Sequence, residues 1–151
     1  MNLSNKCQYA VRAILELSKQ YGRAAIPASE VAVAQVVPQR FLELILNELK
    51  TSGLVDSKRG AQGGFFLTTS PNQITVGQII RIMEGPLDPV RCSLDQGEGA
   101  ECCALRDTCV LINLWNRARM AAEEVYDSVT FADLVREEEE LVKKDVLNYN
   151  I

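Results

Sequence analysis

The sequence predicts a mainly α-helical fold with one small β-hairpin, and three features support this expectation. Two short helical segments with a tight turn between them occupy residues 29–52, a glycine-rich hairpin follows, and a long amphipathic helix covers about residues 111–126. Two helices, a turn and a hairpin in this order form a winged helix-turn-helix. We therefore expect a winged helix-turn-helix followed by a long dimerisation helix.

The first helix is located by its ends. Ser4 is a suitable N-cap and Gly22 a suitable stop, so the helix should run to about residue 21. Cys7 lies in its apolar stripe, where a small buried core residue is the favoured interpretation and metal ligation the lesser alternative. Pro27 then interrupts the chain before a short helix over residues 28–35.

The second helix of the helix-turn-helix is expected to begin at Pro38, which suits a first helical position, and to end near Gly53. One face should be apolar, formed by Phe41, Leu42, Ile45 and Leu49. The opposite face is polar and carries Arg40, Glu43, Asn47 and Lys50, with Gln39 beside them. Most polar helix faces simply meet solvent. Gln39, Arg40 and Glu43, however, occupy the leading turns and can recognise adenine, guanine and cytosine edges, respectively.

The hairpin should consist of strands at residues 54–57 and 65–67. The loop between them combines three glycines with the adjacent cations Lys58 and Arg59, and it also contains Gln62. Glycine permits close approach of a backbone, and the cations suit phosphates or a narrow minor groove. The alternative is a basic hairpin that does not contact nucleic acid.

The run GLVxSxRGAxGGFxL at residues 53–67 strongly resembles the Rrf2 family of winged-helix regulators, which includes IscR, NsrR and CymR, and the resemblance covers nearly the whole chain. It implies that the helix over residues 38–50 enters a major groove and that the loop over residues 59–64 reaches an adjacent groove. Glu43 and Arg59 match positions that family members use for DNA. Many relatives have glycine at Val36 and serine at Pro38, so base preference does not carry over.

The capping box formed by Thr75 and Gln78 predicts a helix over residues 76–84, ended by Gly85 and Pro86. Beyond it lies a segment rich in cysteine. Cys92, Cys103 and Cys109 give C-x10-C-x5-C. Three thiolates form a soft site suited to iron–sulfur or zinc.

The resemblance implies an iron–sulfur cluster, with 2Fe-2S favoured and 4Fe-4S left open. The spacing from Cys103 to Cys109 matches the cluster-binding members, which favours Cys103 over its neighbour Cys102, whereas the interval after Cys92 is longer. The fourth ligand stays open, because the chain has no histidine. Ile112 stands where some relatives have histidine, and Gln8 where others have an acid. Other candidates are Cys7, Asp95, Glu98, Glu101 and Asp107.

Three alternatives to a regulator that senses through an iron–sulfur cluster remain. Some family members regulate cysteine metabolism without a metal, so thiol oxidation, a metabolite or a partner protein could control the chain instead. Structural zinc is disfavoured because it normally has four Cys or His ligands. A small iron–sulfur electron carrier or thiol oxidoreductase is disfavoured by the intact wing.

The long helix carries an apolar stripe that a monomer would only half use, which predicts a two-fold homodimer. Its members are Leu111, Leu114, Trp115, Ala118, Ala122 and Val125. Thr130 and Asp133 should cap a last helix, whose acidic run at residues 137–140 is expected to face solvent.

Composition and charge limit the classes of function that the chain can have. The 151 residues are 47% apolar, which is enough for an ordinary core. No run of eighteen apolar residues occurs and the N-terminal stretch is charged, which predicts no membrane association. The net charge of −4 divides into eight basic and five acidic residues over 1–70 and eight basic and fifteen acidic residues beyond, so the predicted winged helix is locally basic.

These observations predict a cytoplasmic, homodimeric regulator that binds a double-stranded DNA operator and is not an enzyme. Residues 1–85 form its DNA-binding domain, residues 86–110 a sensory segment, called the cysteine segment below, and residues 111–151 the dimerisation and C-terminal helices. The segment should respond to iron–sulfur status, redox state or nitric oxide.

Overall fold

The computed structural model describes residues 2–60, 63–90, 105 and 108–148, with backbone only for 145–148. Its helices are α1 (Asn5–Lys19), α2 (Ala28–Gln35), α3 (Gln39–Thr51), α4 (Val76–Glu84), α5 (Ile112–Ser128) and α6 (Phe131–Asn148). Strands β1 (Val55–Lys58) and β2 (Gly64–Leu67) form an antiparallel hairpin in which Val55 faces Leu67 and Lys58 faces Gly64. The predicted winged helix-turn-helix is confirmed.

Local hydrogen bonds explain where the helices begin. The Ser4 hydroxyl accepts from the backbone N–H of Cys7 at 3.1 Å, and the Thr75 hydroxyl accepts from that of Gln78 at 3.2 Å. Thr130 and Asp133 form a complete capping box, because each side chain accepts from the other residue's backbone N–H. Pro38 was expected at the first helical position of α3. It is instead the N-cap, and the helix begins one residue later, at Gln39.

The core lies between α1, α2, α3, the hairpin and α4. Helix α3 contributes four buried side chains, Leu42, Ile45, Leu46 and Leu49. Phe41, expected on the buried face, is 37% exposed and packs edge-on against Tyr9 of α1, with ring centroids 5.8 Å apart. Leu46 is buried instead, because Leu42, Ile45, Leu46 and Leu49 share one face at i, i+3, i+4 and i+7 spacing, with Phe41 at its edge.

Two bridges tie distant parts of the chain to this unit. Ile26, two residues before α2, exchanges both backbone hydrogen bonds with Phe65 of β2, at 2.9 and 2.8 Å. A side chain on Gly64 would overlap the carbonyl of Ile26, so the close approach requires glycine. Thr75 lies opposite Thr130 in a second bridge, whose backbone hydrogen bonds run from Val76 to the Val129 carbonyl and from Phe131 to the Ile74 carbonyl. Phe131, at the start of α6, is completely buried in the core.

Helix α5 differs from the other helices because none of its side chains is fully buried. Tyr126 packs against the small cluster of Cys7, Ile80 and Leu87. Away from this contact an exposed apolar row follows the helix and contains Leu111, Leu114, Ala118, Ala121 and Val125. Trp115 and Ala122, expected in the same stripe, are half-buried. Among the described helices, none combines the length and apolarity needed to cross a bilayer.

Candidate functional site

The exposed face of α3 is formed by Arg40, Leu44, Asn47 and Thr51, which recur at helical spacing. Gln39 is also exposed at the first position of the helix, and its amide donates to the Glu43 carboxylate at 3.0 Å. Glu43 is half-buried on the flank of this face. The three residues that the sequence singled out for base recognition therefore lie together on the leading turns of α3.

Leu44 was missed by the sequence argument, which searched this helix for polar side chains. It is 67% exposed and lies one turn after Arg40, in the middle of the outward face. An apolar side chain in this position can contact the methyl group of thymine. The available signal was its spacing, since positions 40, 44 and 47 share one face.

The other end of α3 is joined to the hairpin. The Lys50 ammonium lies 2.8 Å from the Asp56 carboxylate and donates to the Ser57 hydroxyl at 2.6 Å. This ammonium and the backbone N–H of Ser57 hold the pKa of Asp56 below its usual range. Lys50 thus fixes the hairpin relative to α3, a different role from the contact with nucleic acid that its polar face suggested.

The wing tip carries Lys58 and Arg59, both exposed. The two described sides of the loop lie close together: the Gly63 N–H donates to the Gly60 carbonyl at 2.9 Å, and a side chain on Gly63 would overlap the Lys58 carbonyl. Gln62, the remaining predicted wing contact, lies outside the described residues.

Charge pairing concentrates positive potential on α3 and the wing. Over residues 2–60, Lys6, Lys19 and Lys50 are paired with acids, and Arg12 donates to the Gln35 carbonyl. Among the described groups, the cations of that range with no ion-pair or hydrogen-bond partner are Arg23, Arg40, Lys58 and Arg59. Three of these four belong to the face formed by α3 and the wing tip, where phosphates would be met.

The turn between α2 and α3 contains a backbone outlier. Val36 has φ 53° and ψ 49°, the left-handed conformation, and it is 83% exposed. A β-branched residue rarely adopts this conformation because its side chain crowds the carbonyl. The position matches the glycine that the family resemblance led us to expect in the turn.

The cysteines fall into two environments. Cys7 is completely buried, and burial, together with the nearby Glu84, raises the pKa of its thiol to about 11. A neutral buried thiol matches the favoured interpretation of a core residue. Cys109 is partly exposed, and its carbonyl accepts from the backbone N–H of Ile112 at the first residue of α5.

Cys92, Cys102 and Cys103 lie outside the described residues, as do Asp95, Glu98, Glu101 and Asp107. Within the described part of the chain, no three His, Cys, Asp or Glu side chains are arranged to hold a metal ion. The side chain of Gln8, at the position where some relatives have an acid, donates to the Leu3 carbonyl at 2.9 Å.

Comparisons with known proteins match this geometry. The Rrf2 family model, described as an iron-dependent transcriptional regulator, matches residues 3–137. The chain is 35% identical to the HTH-type transcriptional regulator CymR of Bacillus subtilis over 89% of each protein. It is 33% identical to IscR of Sodalis glossinidius over 92% of this chain and 81% of that protein.

The solved structures agree with the sequence matches. A structure of CymR from B. subtilis, described as the global cysteine regulator, has a TM-score of 0.73 over 91% of this chain and 98% of that one, at 34% identity. The structure of IscR from T. potens has a TM-score of 0.74 over 93% and 90%, at 33% identity.

Proposed function

The chain belongs to the Rrf2 family of DNA-binding transcriptional regulators, and we propose on this basis that it binds its operator as a homodimer and that its affinity depends on the cysteine segment. Its relatives are transcriptional regulators, a class of proteins that acts by binding and not by catalysis. The cytoplasm, where bacterial DNA is accessible, is the proposed site of action. The observation that carries the proposal is the exposed leading turn of α3 beside a wing whose cations have no acidic partner among the described residues.

Side-chain chemistry indicates different proposed roles for α3 and for the wing. Arg40 can bridge the two acceptors of guanine, and the Gln39 amide and Glu43 carboxylate can address adenine and cytosine. Their hydrogen bond in the unbound protein holds both side chains at the start of α3. Lys58, Arg59 and Gln62 are proposed to contact the backbone or an adjacent minor groove, which adds affinity without sequence preference.

The exposed apolar row of α5 is proposed as the dimer interface. Leu114 and Val125 are 51% and 62% exposed, and Ala118 and Ala121 lie between them. A two-fold contact would bury this row against its own copy. Two winged helices would then bind one operator together, which compensates for the modest basic surplus of each subunit.

Cys92, Cys103 and Cys109 are proposed to hold an iron–sulfur cluster, with 2Fe-2S favoured over 4Fe-4S. The chemistry of the donor set fits, because three cysteine thiolates are the donors that such clusters take, and the described member, Cys109, is accessible beside α5. The family's iron-dependent description supports the same assignment. When bound, the cluster supplies a centre that reacts with oxidants and nitric oxide. Because Cys109 lies just before α5, a change in the segment would act on the start of the proposed dimer helix.

A second candidate keeps DNA binding and replaces the cluster with thiol oxidation, a metabolite or a partner protein. It is favoured by the similarity to CymR, whose solved structure is described as that of a global cysteine regulator. The two candidates differ in whether the segment must contain iron.

The test is the iron and sulfide content of anaerobically isolated protein, measured together with DNA retention. Serine at Cys92, Cys103 or Cys109 should abolish visible absorbance, whereas serine at Cys102 is the matched control that retains it. Serine at the buried Cys7 should also retain it unless α1 supplies the fourth ligand. Exposure to oxygen or nitric oxide should bleach the centre and change operator affinity several-fold. Iron-free protein that binds its operator normally would favour the second candidate, and a coloured protein that retains no DNA would favour an electron carrier.

A further inference from the structure

The carboxylate of Asp127 joins the end of α5 to α4 through hydrogen bonds. The Arg81 guanidinium donates to both carboxylate oxygens, at 2.5 and 3.1 Å, and the Thr75 hydroxyl donates to one of them at 3.4 Å. The same hydroxyl caps α4 by accepting from Gln78. Two parallel N–H···O bonds fix direction as well as distance, so this pair restricts the orientation of α5 relative to α4.

Gly77 provides the space for this contact. A side chain at Gly77 would overlap the Asp127 carboxylate and approach the Arg81 guanidinium. Glycine is unfavourable inside a helix by about 1 kcal/mol relative to alanine. Its position in the second residue of α4 is explained by the carboxylate that lies against it.

A second attachment lies two turns earlier on α5. The Arg119 guanidinium is 3.4 Å from the Asp88 carboxylate, and both side chains are partly buried. Eight residues of helix separate Arg119 from Asp127, which is about 12 Å. A helix held at two points this far apart cannot pivot freely about either one.

We propose that Asp127, held by Arg81 and seated over Gly77, is a positioning residue that sets the angle between α5 and the winged helix and thereby the spacing of the two half-sites that the dimer recognises. The inference rests on the proposed dimerisation through α5. In such a dimer each α3 is connected to the dimer helix through α1 and α4, because α5 packs on α4, α4 on α1 and α1 on α3. The angle between α5 and α4 therefore determines where each α3 meets the duplex. One base pair moves a half-site by about 3.4 Å and rotates it by about 34°, so a small change of angle alters the preferred spacing.

The guanidinium of Arg81 holds the pKa of Asp127 below its usual range, so the carboxylate stays ionised at neutral pH. The ion pair is partly exposed, with 39% of the Arg81 side chain and 42% of the Asp127 side chain accessible. Pairs of this exposure contribute little to stability. We therefore expect loss of this pair to change the angle between α5 and the winged helix and not the free energy of unfolding.

The experiment uses the full chain and an operator selected by the wild-type protein from random duplexes. Affinities are measured for the selected duplex, for duplexes with one or two base pairs added or removed between half-sites, and for a single half-site. Asp127→Asn removes the charge at constant size. Gly77→Ala displaces the carboxylate and should itself favour the helix. Glu138→Gln is the matched control, because it breaks a similarly exposed ion pair between α6 and Lys19 of α1.

Both variants should reduce the preference for the selected spacing by about threefold or more, with single half-site affinity and dimer mass unchanged, and Glu138→Gln should match the parent. If Asp127→Asn fails to fold, Gly77→Ala decides. An unaltered spacing profile, an equal loss on the single half-site, or loss of the dimer would each overturn the inference. A wild-type protein that is monomeric, or that prefers two half-sites no more than one, would instead overturn the proposed function.

Discussion

Arg59 is expected to contribute affinity that does not depend on sequence, because it is exposed at the wing tip and has no acidic partner among the described residues. Arg59→Ala should weaken binding to operator and to random duplex by about 1 to 3 kcal/mol and lower the slope of log affinity against log salt by about 1. Fluorescence anisotropy across a salt series measures both quantities.

Lys144→Ala is the control, since Lys144 is an exposed cation on α6 and not on the wing. It should leave the slope unchanged. A slope for Arg59→Ala equal to that of the parent would remove this residue from the interface.

At the scale of single residues, the sequence could predict those side chains whose environment follows from helical periodicity. Cys7 was expected in the core and is completely buried. The exposure of Leu44 was not predicted, because an apolar residue on a mixed helix is normally assigned to the core. Its exposure depends on which neighbours cover it. Lys50 was assigned to the outward face because Asp56 and Ser57 reach it only after the hairpin folds back.

The turn of the helix-turn-helix is strained at Val36. The left-handed conformation costs a β-branched residue about 1 to 2 kcal/mol, and an 83% exposed side chain gains little burial in return. Val36→Asn should therefore raise the free energy of unfolding by about 1 kcal/mol, because asparagine tolerates this conformation. Urea unfolding followed by circular dichroism measures the change.

Val33→Asn provides the comparison. Val33 is 80% exposed but lies inside α2, so asparagine there should give no gain. Equal effects at both positions would show that loss of an exposed valine, and not relief of backbone strain, is responsible.

At the scale of elements, local signals were sufficient for helix starts and for the hairpin. Ser4, Thr75 and Thr130 cap their helices through hydrogen bonds that span three residues, so the information is contained in adjacent positions. The bridges from Ile26 to Phe65 and from Thr75 to Thr130 join distant positions and have no local signature. For the same reason the burial of Phe131 could not be inferred from its neighbours.

For the whole molecule, the exposed row on α5 predicts that dimerisation does not require a cofactor. Ala118→Glu places a charge in the middle of this row and should yield monomers. Operator affinity should then fall by at least about tenfold through lost bivalency. Analytical ultracentrifugation of protein without iron, with and without operator, measures both effects.

Asn113→Glu is the matched control, since it adds the same charge about 140° around the helix from Ala118. It should remain dimeric. A wild-type protein that is monomeric at micromolar concentration would contradict the proposed architecture.

The burial of Phe131 also has a consequence for biosynthesis. Phe131 completes a core whose other members lie on α1 to α4, the hairpin and the segments that join them. Chains emerge from the ribosome at about 5 to 20 residues per second, so the roughly fifty residues between α4 and α6 impose a delay of seconds. During that interval the helix-turn-helix is already synthesised but its core is open. A nascent chain can therefore complete the core beneath its helix-turn-helix only after the start of α6 has left the exit tunnel.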